Sequence, residues 1–298
     1  MSKSFAKAST QAARAVRHAC AISSARHTSR NDGRVHSFGT ARAYQSALTQ
    51  AAEWGRDNGI RTLTHWDNDH AASYLADRAV EVSQKTLDLD RQALQILPGV
   101  STLERVRSEQ TPATGTRAYT PAQVNAISDA QQNRHSLATE VSYAAGLRAH
   151  ELLTLRPVEE QPASTHRDWS EDRFTGREGK TYSVVGKGGL VREVRVPENL
   201  VDRLESVRLA EPRTVEDRGI RYEQHYDLGG GRRWSDSFSK ASQRKLGYST
   251  GAHGLRHSYA QERMDELQER GYLYRDAMAV VSQEMGHFRA DITAVYLR

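Results

Sequence analysis

Apolar residues in the first hundred positions recur at steps of three and four, the spacing that lines one face of a helix. Between Thr40 and Asn58 the pattern is carried by Ala43, Ala47, Leu48, Ala51 and Trp54, and Gly59 is a fitting stop. An Ala-rich stretch over 4–24, free of Gly and Pro, predicts an earlier helix. Asp67 is placed to cap a third that holds Ala71, Tyr74, Leu75 and Ala79. A fourth spans Gln84 to Leu97 with Leu87, Leu94 and Leu97 inward, and Pro98-Gly99 ends it. Four short helices over this length predict a small helical domain, residues 1–106.

Residues 107–118 are polar, lack large apolar side chains and carry Pro112 and Gly115, which reads as a linker. A second domain, 119–298, starts with Thr120-Pro121, a cap residue followed by proline at the first helical position. Another helix is expected over Ser136–Ala145, then a Pro-, Asp- and Glu-rich loop over 156–172. Strand alternation stands out only around 181–196, where Tyr182–Val185 and Val191–Val196 flank the turn Gly186-Lys187-Gly188-Gly189. Beyond Pro197 the pattern predicts a return to helix, interrupted by glycines at 229–231. The fold class expected is therefore mainly α with one small β-hairpin, and not a doubly wound sheet.

Composition narrows the class further. The chain of 298 residues is 37% apolar, enough for packed cores, and no apolar run is long enough to span a membrane. The single cysteine, Cys20, excludes an internal disulfide framework and fits a reducing, cytoplasmic setting. Net charge is +5, but residues 1–61 alone hold ten Lys/Arg against three Asp/Glu, so that segment carries +7 and the remainder −2. A concentrated basic excess points to an anionic partner, with nucleic acid favoured because phosphate neutralisation by Lys and Arg supplies most non-specific affinity. Arg14, Arg17, Arg26, Arg30, Arg34 and Arg42 are the candidate nucleic-acid contacts. Two other readings of the segment stand beside this one: an organelle transit peptide, which the acid-free first 30 residues resemble, and a solvated basic face.

Three local patterns carry chemistry. In Gly146-Leu147-Arg148-Ala149-His150-Glu151, Arg148 and Glu151 would share a helical face, so the carboxylate either holds the guanidinium in a site or forms a surface ion pair. In His253-Gly254-Leu255-Arg256-His257 an arginine offers planar bidentate donors beside a histidine able to move a proton near neutral pH. The His253/His257 spacing would also suit two metal ligands on a helix, but a zinc site needs three or four ligands and the single cysteine lies about 230 residues upstream, so no metal is expected. The third pattern, Met285 to Tyr296, ends in a tyrosine nine residues after His287.

Taken in order, Arg148, Lys187, His253, Arg256, His287 and Tyr296 resemble the catalytic set of the tyrosine recombinases, the phage-type integrases. The contexts match as well: Gly-Leu-Arg-x-x-Glu-Leu, a Gly-Lys-Gly-Gly hairpin tip and His-x-Leu-Arg-His. The resemblance covers residues 118–298 and extends more loosely to a helical, SAM-like core-binding domain before them. It implies a mixed α/β catalytic domain that cleaves and rejoins DNA through a 3′-phosphotyrosine on Tyr296. Arg148 and Arg256 would clamp the non-bridging oxygens, His253 would assist proton transfer, His287 would hydrogen-bond the phosphate, and Lys187 would protonate the departing 5′ oxygen. Glu151 and His257 are supporting residues in this reading, and Lys180 is a rival to Lys187. No cofactor is implied. The expected partners are duplex DNA and further copies of the chain, dimer to tetramer, in a bacterial, phage or mobile-element context.

Many members of that family continue beyond the tyrosine into a helix that docks on a neighbouring subunit, whereas this sequence ends two residues after Tyr296. Coupling between protomers is then expected to use another contact, such as the 156–178 loop, or to be deficient. An accessory DNA-binding protein of the same fold, and a type IB topoisomerase-like activity, are the alternatives.

Overall fold

The computed structural model describes residues 5–22, 32–110 and 115–297, apart from the side chain of Lys187. The chain divides into two compact units, Met1–Ala113 and Thr114–Arg298.

The first unit contains helices α1 (Ala8–Ala19), α2 (Phe38–Asp57), α3 (Asn68–Glu81) and α4 (Gln84–Leu94). For two of them local chemistry supplies a partner for an otherwise unsatisfied amide. The Ser37 side chain accepts from the Thr40 amide ahead of α2, and Asp67 accepts from the His70 amide ahead of α3. The inward stripes of these helices meet in one core around Leu48, Ala51, Trp66, Tyr74, Leu75, Leu87 and Leu94. Trp54, Trp66 and Tyr74 pack edge to face with ring centroids 5.5–5.8 Å apart. Such pairs contribute about 0.5–1.5 kcal/mol each beyond the area they bury. Gly99 passes so close to the Trp66 carbonyl that a side chain there would collide with it, so the Pro98-Gly99 stop also serves packing. Residues 108–110, expected in the linker, are held on this unit: the Ser108 hydroxyl donates to the Val82 carbonyl and the Glu109 amide to the Ala79 carbonyl.

The second unit opens on α5 (Pro121–Asp129), whose capping box joins Thr120 and Gln123. Helix α6 (Asn133–Ala145) follows, three residues longer at its start than the pattern predicts. Strands β1 (Arg156–Pro157), β2 (Lys180–Val185) and β3 (Val191–Val196) form an antiparallel sheet in that order, with Tyr182 opposite Val194 and Val185 opposite Val191. Alternate residues Arg192, Val194 and Val196 of β3 are buried, as a half-covered strand requires. Helix α7 (Glu198–Glu205) then leads into a second hairpin, β4 (Arg208–Asp217) and β5 (Ile220–Tyr226).

This hairpin corrects the expectation of continuous helix beyond Pro197. Its loop is two residues, Arg218 and Gly219, both with positive φ (53° and 75°), the geometry whose twist matches paired strands. Helices α8 (Gly231–Leu246), α9 (Gly254–Glu269), α10 (Tyr274–Glu284) and the short α11 (Ala290–Ala294) complete the unit. One core lies between α5, α6, α8 and the three-stranded sheet, and a second joins α9, α10 and the end of the chain through Met264, Leu267, Val281, Met285 and Tyr296.

Candidate active site

The site grows from the end of α6. Gly146 closes that helix in the left-handed conformation (φ 60°), and a β-carbon there would stand 2.8 Å from the Tyr259 ring. Only glycine satisfies both demands. The turn that follows brings Arg148 and Glu151 together, not on one helix face as the spacing suggested but across a turn entering a 3-10 segment, Glu151–Leu153. Nor is the pair on the surface, because Glu151 is 0% exposed. Its Oε2 accepts from the Arg148 amide at 2.8 Å, and Oε1 accepts from Arg148 Nη1 at 2.6 Å. Oε2 also accepts from Arg192 Nη2 at 2.7 Å and lies 3.8 Å from Arg256 Nη1. Burial works to raise the carboxyl pKa, but Arg192, Arg148 and Arg256 outweigh it and hold it well below the ordinary range. One carboxylate thus anchors three guanidiniums, and the cluster carries two uncompensated positive charges. Such an excess in a low-dielectric setting is a strong attractor for an anion.

Arg256, near the start of α9, is wholly buried. Its Nη1 donates to the Gly146 carbonyl and its Nη2 to the Met285 carbonyl at 3.1 Å, while Nε has no protein partner. Burial, then the like charge of Arg148, lower its pKa to about 9, which leaves it charged at neutral pH. Its Nη2 is also 3.2 Å from His287 Nε2. Because a guanidinium only donates, this nitrogen of His287 accepts, and the proton sits on Nδ1, which donates to Thr293 Oγ1 at 3.1 Å. The neutral form agrees with the pKa of His287, pushed down to about 3 by burial and then by Arg256 and Arg148.

Tyr296 follows α11 and points back into this cluster. Its ring centroid is 5.3 Å from that of His253, 4.8 Å from His257 and 5.1 Å from His287, and the Arg256 guanidinium stands 5.6 Å from it. The segment is docked on α9: Gln261 Nε2 donates to the Tyr296 carbonyl at 3.1 Å, and His257 hydrogen-bonds the same backbone. His257 is buried and its pKa falls to about 4, through burial first and Arg117 second. His253, exposed on one side, is also shifted down, by desolvation and then by Arg256, His257 and Arg117. A tyrosine ring therefore lies among neutral imidazoles, a class of group that can accept a proton, and beside a cationic guanidinium, which can hold an anion.

No protein-family model and no curated protein matches the sequence. Solved structures are similar in fold. One is the XerH site-specific recombinase bound to a palindromic difH substrate in a post-cleavage complex, with a TM-score of 0.57 at 14% identity, over 98% of this chain and 94% of that one. Another is a lambda integrase (75–356) dimer bound to a COC′ core site, with a TM-score of 0.57 at 14% identity over 97% and 94%. The chain has the tyrosine recombinase fold. A third similar structure, XerH on difH before cleavage, gives a TM-score of 0.51 at 14% identity over 99% and 94%.

Within that fold Arg148, Glu151, His253, Arg256, His257, His287 and Tyr296 converge. Lys187 lies on the 3-10 turn between β2 and β3, directly after Gly186, where an added β-carbon would be 3.3 Å from Glu151 Oε1. The hairpin tip is thus at the site, although the Lys187 side chain is outside the described residues. The rival Lys180 is engaged elsewhere, its Nζ donating to Glu205 at 2.9 Å. Of the basic N-terminal residues, Arg14 and Arg17 stand exposed on α1 and Arg42 on α2; Arg34 is exposed too and donates to the Cys20 carbonyl. Arg26 and Arg30 are outside the described residues. Among the described residues no group of three metal-ligating side chains occurs.

Two contributors escaped sequence reasoning. Arg192 looks like an ordinary polar position on a strand, and only the burial alternation of β3 would have marked it. The 158–178 loop braces the His287 end of the site: the Ser170 amide donates to Gln283, the Phe174 amide to Glu284, and Trp169 packs on Phe288 with centroids 4.8 Å apart.

Proposed function

We propose that this chain is a site-specific DNA recombinase or integrase that cuts and rejoins duplex DNA through a covalent 3′-phosphotyrosine on Tyr296. The observation that carries the reading is the placement of the Tyr296 ring against His253, His257 and His287 and over Arg256. Tyr296 Oη attacks the scissile phosphorus, its proton passing to neutral His253, and the 5′ oxygen leaves with a proton from Lys187. Arg148 and Arg256 stabilise the negative charge that grows on the non-bridging oxygens, and His287 steadies Arg256 by accepting from its Nη2. The phosphotyrosyl bond conserves the energy of the broken phosphodiester, so attack by a 5′ hydroxyl reverses the step.

In the same reading residues 1–106 form a DNA core-binding domain with a basic arm, 107–118 a linker and 119–298 the catalytic domain. Copies of the chain assemble on DNA as dimers to tetramers, in a bacterial or mobile-element cytoplasm. Among the described residues, no helix is long and apolar enough to cross a membrane.

A nicked suicide duplex tests the proposal. The wild-type chain is expected to leave a covalent protein–DNA adduct and Tyr296→Phe none. An adduct that survives the substitution overturns the nucleophile, and specific binding with no adduct selects an accessory DNA-binding role.

A further inference from the structure

Arg192 lies outside the set of residues that would touch the phosphate, yet its side chain bonds to two of the turns that present them. It sits on β3, the strand that leaves the Lys187 hairpin, and only 1% of its side chain is exposed. Its Nη2 donates to Glu151 Oε2 at 2.7 Å and to the Gly146 carbonyl at 3.2 Å. Its Nη1 donates to the Glu284 carbonyl at 2.5 Å, at the end of α10. Three segments are thereby joined by one planar group: the turn that presents Arg148, the hairpin that carries Lys187 and the turn that presents His287. The stem needs room as well. A β-carbon on Gly286 would come within 3.0 Å of Arg192 Cδ, and this glycine, at φ 71°, is the residue before His287.

A charge held this deeply carries a heavy desolvation penalty that the attraction of its partners can fail to repay, so a buried ion pair is by itself weak evidence of stabilisation. Stability alone therefore does not account for a guanidinium here. What it supplies is geometry, since its fork fixes the direction of several bonds at once, whereas an ammonium offers a point charge. Misplacing a reacting group by about 1 Å can lower a rate about a hundredfold.

We propose that Arg192 is a positioning residue for strand cleavage: its guanidinium holds the Arg148 turn, the β2–β3 hairpin and the His287 turn in one catalytic register. The inference rests on the recombinase reading above.

Single-turnover adduct formation on the nicked duplex, measured across DNA concentration with the full chain, tests it. Arg192→Lys keeps the charge but loses the fork, Arg192→Gln loses both, and Arg195→Lys on the same strand is the control. For Arg192→Lys the maximal rate is expected to fall at least tenfold, with the half-saturating DNA concentration changed less than twofold and melting still cooperative. Arg192→Gln should fall at least as far, and Arg195→Lys should stay near wild type. A maximal rate within twofold of wild type in Arg192→Lys overturns the inference. So does a loss that appears only as weaker binding, or failure of both Arg192 variants to fold, which would make the residue structural only. Absence of adduct in the wild-type chain is a different result: it removes the recombinase reading, and the inference with it.

Discussion

On the first unit Arg14 and Arg17 stand exposed to solvent on α1, whereas in the second Arg192 and Arg256 are almost wholly enclosed around Glu151. The same side chain is put to opposite uses. An exposed guanidinium keeps its hydration, interacts with distant charges through water and salt, and adds little to stability. A buried one has lost that hydration, so it depends on the carboxylate and carbonyls around it and exerts its field where solvent does not weaken it. The basic excess of residues 1–61 is a matter of number, while the site depends on placement. For that reason a region with a net charge of −2 outside the first 61 residues can still hold a concentrated anion site.

Four measurements press on that contrast. Glu151→Ala should have the largest effect, because it strands three guanidiniums without their common anion. A loss of about 3–5 kcal/mol is expected, read from denaturant unfolding. A loss below about 1 kcal/mol would mean that the buried cluster behaves like surface charge. Next is Arg256→Lys, which keeps a charge but not two directed donors. Adduct yield on the suicide duplex should drop about 10²–10³-fold, the loss typical of removing one preorganised donor of developing charge.

The third measurement is the pH dependence of melting. His257 and His287 have folded pKa values near 4 and 3, below the ordinary histidine value of 6.5. The unfolded chain therefore binds protons first as pH falls, so their contribution to stability is complete above about pH 6.5 and is lost towards pH 4 and 3. Glu151 is shifted below its own ordinary value and stays charged through the upper part of that window, so it does not offset the loss there. Tm should decline from about pH 7 to about pH 4.5, with a shallower decline in His257→Gln; a flat profile would contradict neutral imidazoles at these two positions. The smallest effect belongs to Arg14→Gln with Arg17→Gln. Stability should stay within about 0.5 kcal/mol. The slope of log affinity for duplex DNA against log salt should shrink by about 1–2, at roughly 0.9 for each phosphate no longer neutralised. An unchanged slope would return α1 to a solvated basic face.

Much of the helical framework was legible because its causes are local. Asp67 and Thr120-Pro121 cap their helices through atoms two or three residues away, and the Leu87/Leu94 stripe follows from helical periodicity. The first hairpin was legible for the same reason, from alternation around a glycine turn. The second was not. In β4 half of the residues are charged and no apolar alternation runs along it, and the register is reinforced across strands by pairs such as Arg213 with Gln224. The Asp217–Ile220 turn with its glycine was the one local signal that could have revealed it.

The sequence by itself determined which chemistry is available: an ordered set of arginines, histidines and a tyrosine, and a glycine at 146 that must end a helix. Tertiary structure alone decided which of those groups meet. Arg148 and Glu151 are three residues apart and could equally have formed a surface pair. Arg192, Arg256, His287 and Tyr296 come from separate segments of the second unit. The reason is physical. Caps, turns and periodicity act over a few residues, whereas burial and electrostatic coupling depend on every neighbour in space. Glu151 became an anchor only when folding removed water and enclosed it among three cations.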